Sequence, residues 1–469
     1  MRATCLDEIR RAVHGRWMTA SPGHPVYVEG VAIDSRKAAA GQLFVAIRGA
    51  THDGHSFLAD AAAAGCVSAI VRWGTTLPQA LARRFRGPII GVEDTVVALG
   101  ELARMHRARL AGSVIAVTGS VGKTTVKRMI HHVLATRLTG TAAPKSFNNA
   151  IGVPLTLLEA APGDDYVVCE LGTNAPGEIA ALARIAGPTL AVITAVGAGH
   201  LQAFGSLEGV AAEKASILTG LVDRGVAVVN ADSEPLRQAL VPYGARFIRF
   251  GAADDAELRL TDWETDGLTQ RLQVNDHWWV DLPVPGRHNA FNALAALAVA
   301  LRLGLDEGEA GAALADFRMP AMRTEAQRIG PVLLVNDAYN ANPTSMAAAL
   351  AVLADLNVRR RVFVAGDMLE LGPAGQELHL ELGRQIARGA VDRLITVGAL
   401  GRLIADGARA AGLAQDCIGS YETAGAAAAD VGDWLAAGDG VLVKASRGVG
   451  AECIARAVAE RAAAMAPED

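Results

Sequence analysis

The stretch Val114–Thr125, V-I-A-V-T-G-S-V-G-K-T-T, decides how the chain folds. Its first half is apolar and β-branched, which predicts a buried strand, and its second half passes two glycines before a lysine and two threonines. Glycines let backbone N–H groups turn toward phosphate oxygens, and the N-terminus of a following helix adds positive potential. We therefore predict a phosphate-binding loop over Gly119–Thr125. It departs from GxxxxGK[ST] because Val117 stands where the first glycine is expected.

Each side chain of this loop has a predicted role. Lys123 is placed to reach the β- and γ-phosphates of ATP, and the Thr124 hydroxyl is placed to hold Mg²⁺. The remaining predicted nucleotide-binding residues of the loop are Gly119, Ser120, Val121, Gly122 and Thr125. The sequence has no N-K-x-D, which a GTPase uses to read guanine. The loop by itself leaves a kinase, a motor and a ligase open.

Length and composition narrow the class of protein. A chain of 469 residues exceeds what one hydrophobic core supports, so several domains are expected. The net charge of −5 gives no basic surface for nucleic acid or for an anionic membrane, which indicates small-molecule partners. Five scattered cysteines without a CxxC are typical of reduced thiols in a cytosol. No secretory signal and no apolar stretch long enough to span a membrane is present, so we expect a soluble cytoplasmic protein.

The alternation of apolar runs along the chain predicts an α/β fold in three domains. Residues 1–85 form a small N-terminal α/β unit, residues 86–317 a central P-loop domain with a parallel sheet, and residues 318–469 a Rossmann-like domain. Around the loop, the predicted strands are Val114–Thr118, Tyr166–Glu170, Leu190–Val196 and Val226–Asn230. Between residues 258 and 282 the apolar period becomes two, which predicts a β-hairpin turning at Asn275–Asp276.

Three polar side chains follow the predicted strands of the central domain. Glu170 ends one strand, His200 follows the next, and Lys214 lies on the helix after it. Each alone is as easily a helix cap, a surface histidine or a solvated lysine. Open α/β sheets bind ligands at the carboxyl ends of their strands, so their order around one phosphate loop favours a shared site. A carboxylate facing such a loop is a natural Mg²⁺ ligand.

Several longer motifs give the sequence a resemblance to the Mur ligases, the ATP-dependent amide-bond-forming enzymes of bacterial cell-wall synthesis. The phosphate loop fits that family, and the resemblance covers essentially the whole chain. Three blocks are similar to the members that add D-alanyl-D-alanine: Asp34–Arg36 continuing to Asp53–His55, Asp337–Pro343, and Gly366–Gly372. The other family motifs are E-L-G at Glu170–Gly172, N-A-D at Asn230–Asp232 and G-R-H-N-A-F-N at Gly286–Asn292.

The resemblance implies a reaction. The terminal carboxylate of a UDP-N-acetylmuramoyl-tripeptide is phosphorylated by ATP, and the amine of D-alanyl-D-alanine attacks the acyl phosphate, which releases ADP and phosphate. The product is a peptidoglycan precursor. Because an anion must approach a charged triphosphate, metal ions and fixed cations carry the catalysis. Two Mg²⁺ ions and a monomeric enzyme are expected.

The family also implies the roles of individual residues. Lys123, His200 and Lys214 are the catalytic set, and the metal ligands are Thr124, Glu170, His200 and Lys214, the last as a carbamylated lysine. Carbamylation turns a cation into an anion that can bridge metals. The chain departs from the family beside this lysine, because Ser216 stands where a glutamate is common.

The remaining implied contacts are to the substrates. Asn289 and Asn292 read adenine, Asp337 binds ribose hydroxyls, and Arg323 binds phosphates, so nucleotide binding draws the domains together. The residues implied in binding the muramoyl-peptide and the dipeptide are Ser35, Arg36, Asn148, Asn149, Tyr339, Asn340 and Asn342.

Other functions stay open on the sequence. One is another ligase of the family that adds a single amino acid, or a folylpolyglutamate synthase. Another, from a different class, is a non-catalytic ATP-binding switch, which needs the phosphate loop but neither Glu170 nor His200.

Overall fold

The computed structural model describes residues 1, 3–20, 24–199 and 201–465. Within these residues, three α/β units follow one another along the chain, each built on its own main sheet. The predicted fold class is therefore confirmed. In the described part of the chain, every helix is too short or too polar to cross a membrane.

The N-terminal unit has a five-stranded sheet in the order β2-β7-β6-β5-β4, parallel except for β2. The elements of this unit are β1 Thr4–Cys5, α1 Leu6–Ala12, β2 Arg16–Trp17, β3 Tyr27–Val28, β4 Val31–Ala32, β5 Leu43–Val45, α2 Leu58–Ala63, β6 Ser68–Arg72, α3 Gln79–Ala82 and β7 Ile90–Val92. Because β7 lies beyond residue 85, the sheet extends past the predicted end of the first domain. We propose a boundary after β7, and the boundary at residue 317 stays a prediction.

The central unit begins with helix α4, Thr95–Arg107, and carries a nine-stranded sheet in the order β16-β15-β14-β13-β12-β11-β8-β10-β9. Its strands are β8 Ser113–Thr118, β9 Gly140–Ala142, β10 Tyr166–Glu170, β11 Leu190–Ile193, β12 Val226–Asn230, β13 Arg246–Gly251, β14 Leu258–Thr265, β15 Gln270–Val274 and β16 Trp278–Leu282. Its other helices are α5 Lys123–Leu134, α6 Gly152–Glu159, α7 Glu178–Ala186, α8 Leu201–Phe204, α9 Leu207–Ala215, α10 Glu234–Leu240, α11 Arg287–Arg302 and α12 Glu307–Leu314.

Strand β8 shows why the central sheet is buried on both faces. Its residues Val114 and Ala116 point into one core cluster, whereas Ile115 and Val117 point into another, as the alternation of side chains along a strand requires. The predicted hairpin is also present as β15 and β16. Asn275 and Asp276 have φ of 52° and 64°, the left-handed conformations that a two-residue type I′ turn needs.

The C-terminal unit has a six-stranded sheet in the order β17-β18-β22-β19-β20-β21, parallel except for β17. Its strands are β17 Glu325–Ile329, β18 Val332–Asn336, β19 Arg360–Gly366, β20 Arg393–Val397, β21 Ile418–Tyr421 and β22 Asp439–Lys444. Its helices are α13 Pro343–Asp355, α14 Gly375–Arg388, α15 Gly401–Ala410, α16 Ala424–Ala429, α17 Val431–Trp434 and α18 Glu452–Ala463.

Helix α13 joins the C-terminal unit to the central unit. Near its N-terminus, the Thr344 hydroxyl accepts a hydrogen bond from the Ala198 N–H at 3.1 Å, in the loop after β11. Near its other end, Asp355 lies against Gly267, in the turn between β14 and β15. The carboxyl ends of the two parallel sheets are thereby held across a common cleft.

Candidate active site

The phosphate loop turns as tightly as its glycines permit. Gly119 and Gly122 have φ of 150° and 86°, a region that disfavours residues with a side chain. A Cβ at Gly119 would lie 2.0 Å from the Thr194 hydroxyl, and one at Gly122 would lie 2.4 Å from Oδ1 of Asn292. The loop is therefore pressed between β11 and the start of α11, with no room for a substitution at either glycine.

Lys123 opens helix α5 and folds back over the loop. Its ammonium donates to the Gly119 carbonyl oxygen at 2.7 Å. Burial lowers the pKa of Lys123 to about 8, against the opposing charge of Glu170, and Arg323 lowers it further. Together with the N-terminus of a twelve-residue helix, this side chain makes the loop a site for phosphate groups.

Glu170 lies beside the loop because β10 pairs with β8 in parallel, opposite Val117. Its Oε2 accepts a hydrogen bond from the Thr124 hydroxyl at 3.0 Å, and its Oε1 accepts one from the Asn148 amide at 3.1 Å. The buried ammonium of Lys127 lies 3.3 Å from Oε2. The carboxylate is thus fixed from three directions.

The oxygen atoms of Thr124 and Glu170 suit Mg²⁺. A hydroxyl and a carboxylate at hydrogen-bond distance are hard donors, and Mg²⁺ commonly takes one or two protein ligands and completes its shell with phosphate and water. Among the described residues, no three His, Cys, Asp or Glu side chains are grouped to hold a metal without other ligands. The donors present therefore fit a magnesium ion that arrives with a nucleotide.

Lys214 is buried in helix α9, with 1% of its surface exposed. Burial lowers its pKa to about 7, the charge of Lys123 lowers it further, and Glu213 and Glu178 oppose the shift. Glu213 itself is engaged elsewhere, since its carboxylate accepts the N–H groups of Gly177 and Ile179 at 2.8 and 2.9 Å, at the start of α7. His200, another predicted catalytic residue, lies outside the described residues.

Ser216 does not replace the missing family glutamate as an acid. Its hydroxyl donates to the carbonyl oxygen of Glu213 at 2.7 Å and so closes the end of α9.

The predicted adenine residues lie at the start of α11. The Asn289 amide donates to the Pro285 carbonyl at 2.8 Å, and the Asn292 amide donates to Oδ1 of Asn289 at 3.0 Å. Both side chains line the cleft together with Phe250 and Phe291. Aromatic walls beside oriented amides provide a slot for a planar base.

The C-terminal unit contributes a second set of charges. Asp337 accepts hydrogen bonds from the Thr324 N–H at 3.0 Å and from the Lys444 ammonium at 2.6 Å. The guanidinium of Arg323 stacks on the ring of Tyr339 at 4.0 Å, a cation–π contact that holds it at the cleft.

The predicted substrate-binding asparagines also shape their own backbone. Oδ1 of Asn149 accepts from the Gly152 N–H at the start of α6, and Oδ1 of Asn340 accepts from the Ala341 N–H, each at 2.9 Å. Asn342 and Ser345 form a capping box at the start of α13. The NH₂ groups of these three residues have no such backbone role and are available to donate to a ligand.

Ser35 and Arg36 lie apart from this cleft. They occupy a 3₁₀ turn after β4, where Arg36 pairs with Asp34 at 2.8 Å and leaves 87% of its side chain exposed. Nearby, Nδ1 of His55 hydrogen-bonds Asp53 at 2.6 Å, and its Nε2 accepts the Arg72 N–H. That arrangement fixes the carboxyl end of β6.

Most of the predicted site therefore converges on one cleft of about 550 Å³ between the central and C-terminal units. The predicted residues that line it are Ser120, Val121, Gly122, Lys123, Thr124, Thr125, Asn148, Asn149, Glu170, Asn289, Asn292, Arg323, Asp337, Tyr339, Asn340 and Asn342. Lys214 is buried outside its lining, and Gly119 supports the loop from behind.

Several residues in or beside the cleft were not predicted, among them His288 and Lys127. His288 lines it, and burial lowers the pKa of this histidine to about 4, so its imidazole is neutral at pH 7. Lys127, on α5, contacts the Glu170 carboxylate without lining the cleft. The sequence offered a signal for both residues. His288 directly precedes the predicted adenine residue Asn289, and Lys127 is four residues after Lys123, on the same face of the helix.

Comparison with known proteins agrees with this geometry. Three family models match the chain: "Mur ligase family, catalytic domain" over residues 27–107, "Mur ligase middle domain" over 117–300, and "Mur ligase, glutamate ligase domain" over 322–447. The chain belongs to the Mur ligase family, as its motifs predicted.

The relatives narrow the resemblance within that family. The UDP-N-acetylmuramoyl-tripeptide–D-alanyl-D-alanine ligase of Bacillus subtilis is 37% identical over 435 residues, 92% of this chain and 93% of that protein. A crystal structure of MurF from Acinetobacter baumannii has a TM-score of 0.87 and 30% identity, and covers 98% of this chain and 99% of that one. MurF from Thermotoga maritima, solved in complex with ADP, has a TM-score of 0.82 and 27% identity over 94% of this chain and 99% of that one. The predicted likeness to the D-alanyl-D-alanine-adding members is confirmed.

Proposed function

We propose that the protein is an ATP-dependent ligase that joins the terminal carboxylate of UDP-N-acetylmuramoyl-tripeptide to the amine of D-alanyl-D-alanine. The observation that carries the proposal is the convergence on one cleft of Lys123, the Thr124–Glu170 pair and the Asp337–Lys444 pair. The first two suit a nucleotide triphosphate and its metal, and the third comes from the other side of the cleft. A carboxylate substrate placed between them meets the γ-phosphate.

The residues of the chain perform the chemistry by charge and position. Lys123 and the N–H groups of the loop bind the phosphates, while Asn289 and Asn292 orient the base and Asp337 the ribose. When bound, Mg²⁺ neutralises phosphate charge, and Thr124 and Glu170 would hold it. Transfer of the γ-phosphoryl group gives an acyl phosphate, and the amine then attacks the carbonyl carbon and expels phosphate with loss of a proton.

The approach of an anionic carboxylate to a triphosphate requires positive charge and exclusion of water. Arg323, stacked on Tyr339, supplies a fixed cation from the C-terminal side of the cleft. The contact of Thr344 with Ala198 keeps the cleft closed during the lifetime of a hydrolysable intermediate.

We further propose that Lys214 is carbamylated and that His200 and the carbamate complete a second Mg²⁺ site. A lysine with a pKa of about 7 has a neutral amine available at physiological pH, and that amine can add CO₂ with loss of a proton. The product is an anion near Lys123, so a repulsion between two ammonium groups becomes an attraction. This charge reversal is what supports the modification.

The cellular setting follows from the substrates. Because ATP and a nucleotide-linked precursor are its proposed substrates, we propose that the enzyme acts in the cytoplasm, in the synthesis of peptidoglycan.

The decisive experiment measures phosphate release by the purified protein. We expect phosphate release when ATP, UDP-N-acetylmuramoyl-tripeptide and D-alanyl-D-alanine are all present. Only background release is expected when the tripeptide substrate or the dipeptide is omitted. A single amino acid in place of the dipeptide is the matched control. Equal turnover with that amino acid would assign the protein to another branch of the family.

A further inference from the structure

Lys127 is a buried cation that the reaction as described does not use. It lies on α5, one turn after Lys123, and its side chain is fully buried. Its ammonium lies 3.3 Å from Oε2 of Glu170 and donates to the Lys145 carbonyl at 2.6 Å. Removing a charged group from water is costly unless it is paired, so these two contacts account for its presence in the core.

The two partners of Lys127 belong to different parts of the site. Glu170 ends β10, whereas Lys145 begins the segment 145–149, which also carries Ser146 and Asn148. Asn148 donates to Oε1 of Glu170, and the Ser146 hydroxyl lies 3.4 Å from that of Thr124. The segment therefore contacts the strand end directly through Asn148 and contacts α5 through Ser146, and Lys127 of α5 bridges the two with its charge.

We propose that Lys127 is a positioning residue, which holds the Glu170 carboxylate and the segment 145–149 in one arrangement so that the metal ligand and the residues beside the muramoyl-peptide act as a unit. The identity of that peptide rests on the proposed function. The connection between Glu170 and the segment 145–149 rests on the contacts of Lys127.

Two effects of opposite sign make this inference testable. A cation next to a metal ligand weakens Mg²⁺ binding through charge repulsion alone. A group that orients a ligand carboxylate strengthens it, and loss of such a partner typically weakens metal binding about 10–100-fold. Removal of the ammonium therefore tightens Mg²⁺ binding if Lys127 acts only as a charge, and loosens it if Lys127 positions Glu170.

The experiment compares the wild type with Lys127→Met by titration calorimetry of ADP at a series of Mg²⁺ concentrations. We expect the Mg²⁺ concentration for half-maximal enhancement of ADP binding to rise at least about tenfold, with ADP affinity in EDTA unchanged. The KM for UDP-N-acetylmuramoyl-tripeptide should rise in parallel. An unchanged or lower Mg²⁺ requirement in the folded variant would overturn the inference.

A matched control separates positioning from loss of stability. Arg360 pairs with the buried carboxylate of Asp439 at 2.7 Å and lies away from the cleft. Arg360→Met should lower the melting temperature comparably and leave the Mg²⁺ requirement at the wild-type value. If Lys127→Met does not fold, Lys127→Gln, which keeps a hydrogen-bond donor without the charge, is held to the same tenfold criterion.

A double-mutant cycle adds a second readout. Lys127 and Asn148 both hold Glu170, so the loss in the double variant Lys127→Met with Asn148→Ala should be smaller than the product of the single losses. Independent losses would contradict a shared role. Because ADP and Mg²⁺ are the probes, a wild type without ligase activity would refute the proposed function and leave this inference standing.

Discussion

Two lysine–carboxylate pairs face the same cleft from opposite sides, and they are built differently. Lys127 and Glu170 of the central unit are 0% and 1% exposed and 3.3 Å apart. Lys444 and Asp337 of the C-terminal unit are 4% and 15% exposed and 2.6 Å apart. The first pair is buried between α5 and the end of β10, while the carboxylate of the second pair remains partly accessible.

The difference assigns each pair a task. A fully buried carboxylate with three fixed partners suits a metal, which needs oxygen atoms at set positions. A carboxylate with part of its surface open suits a ligand that enters and leaves, such as a ribose. Breaking each pair should therefore give a different kind of loss. Two of the four experiments below break one pair each, and the other two test Lys214 and Asn342.

The largest effect is expected from Glu170→Gln. The amide keeps the shape of the side chain but removes its charge, so Mg²⁺ loses an anionic ligand and phosphate release should fall about 10²–10³-fold. Lys127 is left as an unpaired buried cation, which should lower the free energy of unfolding by about 3–5 kcal/mol. Asp439→Asn, which breaks a buried pair away from the cleft, is the control and should retain turnover. Turnover of Glu170→Gln near the wild-type level would remove the central pair from the metal site.

A pH titration of stability tests Lys214, the buried cation of α9 whose pKa is lowered by burial and by the charge of Lys123. The pKa of Lys214 is about 7 when folded and near 10.5 when unfolded, so between these values the unfolded chain binds more protons and stability rises with pH. In CO₂-free buffer, the rise between pH 7 and 10 should be larger in the wild type than in Lys214→Met by roughly 3 kcal/mol at most. Urea unfolding at several pH values measures this difference, which includes the interaction of Lys214 with Lys123. If the free energy of unfolding depended on pH in the same way in the wild type and in Lys214→Met, the Lys214 amine would not be buried.

Asp337→Asn should break the more open pair at a smaller cost. We expect nucleotide affinity to fall about tenfold, equivalent to about 1.4 kcal/mol, with little change in the metal requirement. Titration of ADP with Mg²⁺ held constant measures the loss, and Mg²⁺ varied at constant ADP supplies the comparison with Glu170→Gln. A raised Mg²⁺ requirement in Asp337→Asn would contradict the assignment of metal binding to the central pair and of nucleotide binding to the C-terminal pair.

The smallest effect concerns Asn342, at the start of the helix that bridges the two units. Asn342→Ser keeps an oxygen for the cap and should preserve stability, whereas Asn342→Ala should cost about 1 kcal/mol. If the NH₂ group binds D-alanyl-D-alanine, the serine variant should raise the KM for the dipeptide without altering the melting temperature. A KM that changes only in the alanine variant would make Asn342 a cap alone.

The parts of the site that the sequence predicted are those tied to local rules. Lys123 follows a strand and a glycine turn, and Glu170 ends a five-residue strand. The pattern alone therefore placed both residues at the carboxyl ends of the strands. Strand β7 was not predicted, because it is only three residues long and Gly91 interrupts its apolar pattern. Lys127 escaped because the spacing shows that it shares a face with Lys123, but not that this face meets a carboxylate on β10.

The approach of the two units was the least predictable feature. Asp337 and Lys123 reach one cleft because α13 docks against the loop after β11, and that contact depends on tertiary packing between distant segments. The family resemblance supplied the roles of these residues, and it could not supply their partners. Asn149, Asn340 and Asn342 were predicted to bind substrate, and their contacts with the backbone are visible only in the structure.

The docking of α13 leaves no space at Gly197, where a methyl group would stand 2.3 Å from the Thr344 hydroxyl. A single added carbon at that position would act as a wedge between the two lobes. The contact between Thr344 and the loop after β11 would then be lost, and we expect the two walls of the cleft to stand farther apart. The size of this one residue therefore limits how closely the two units can approach each other.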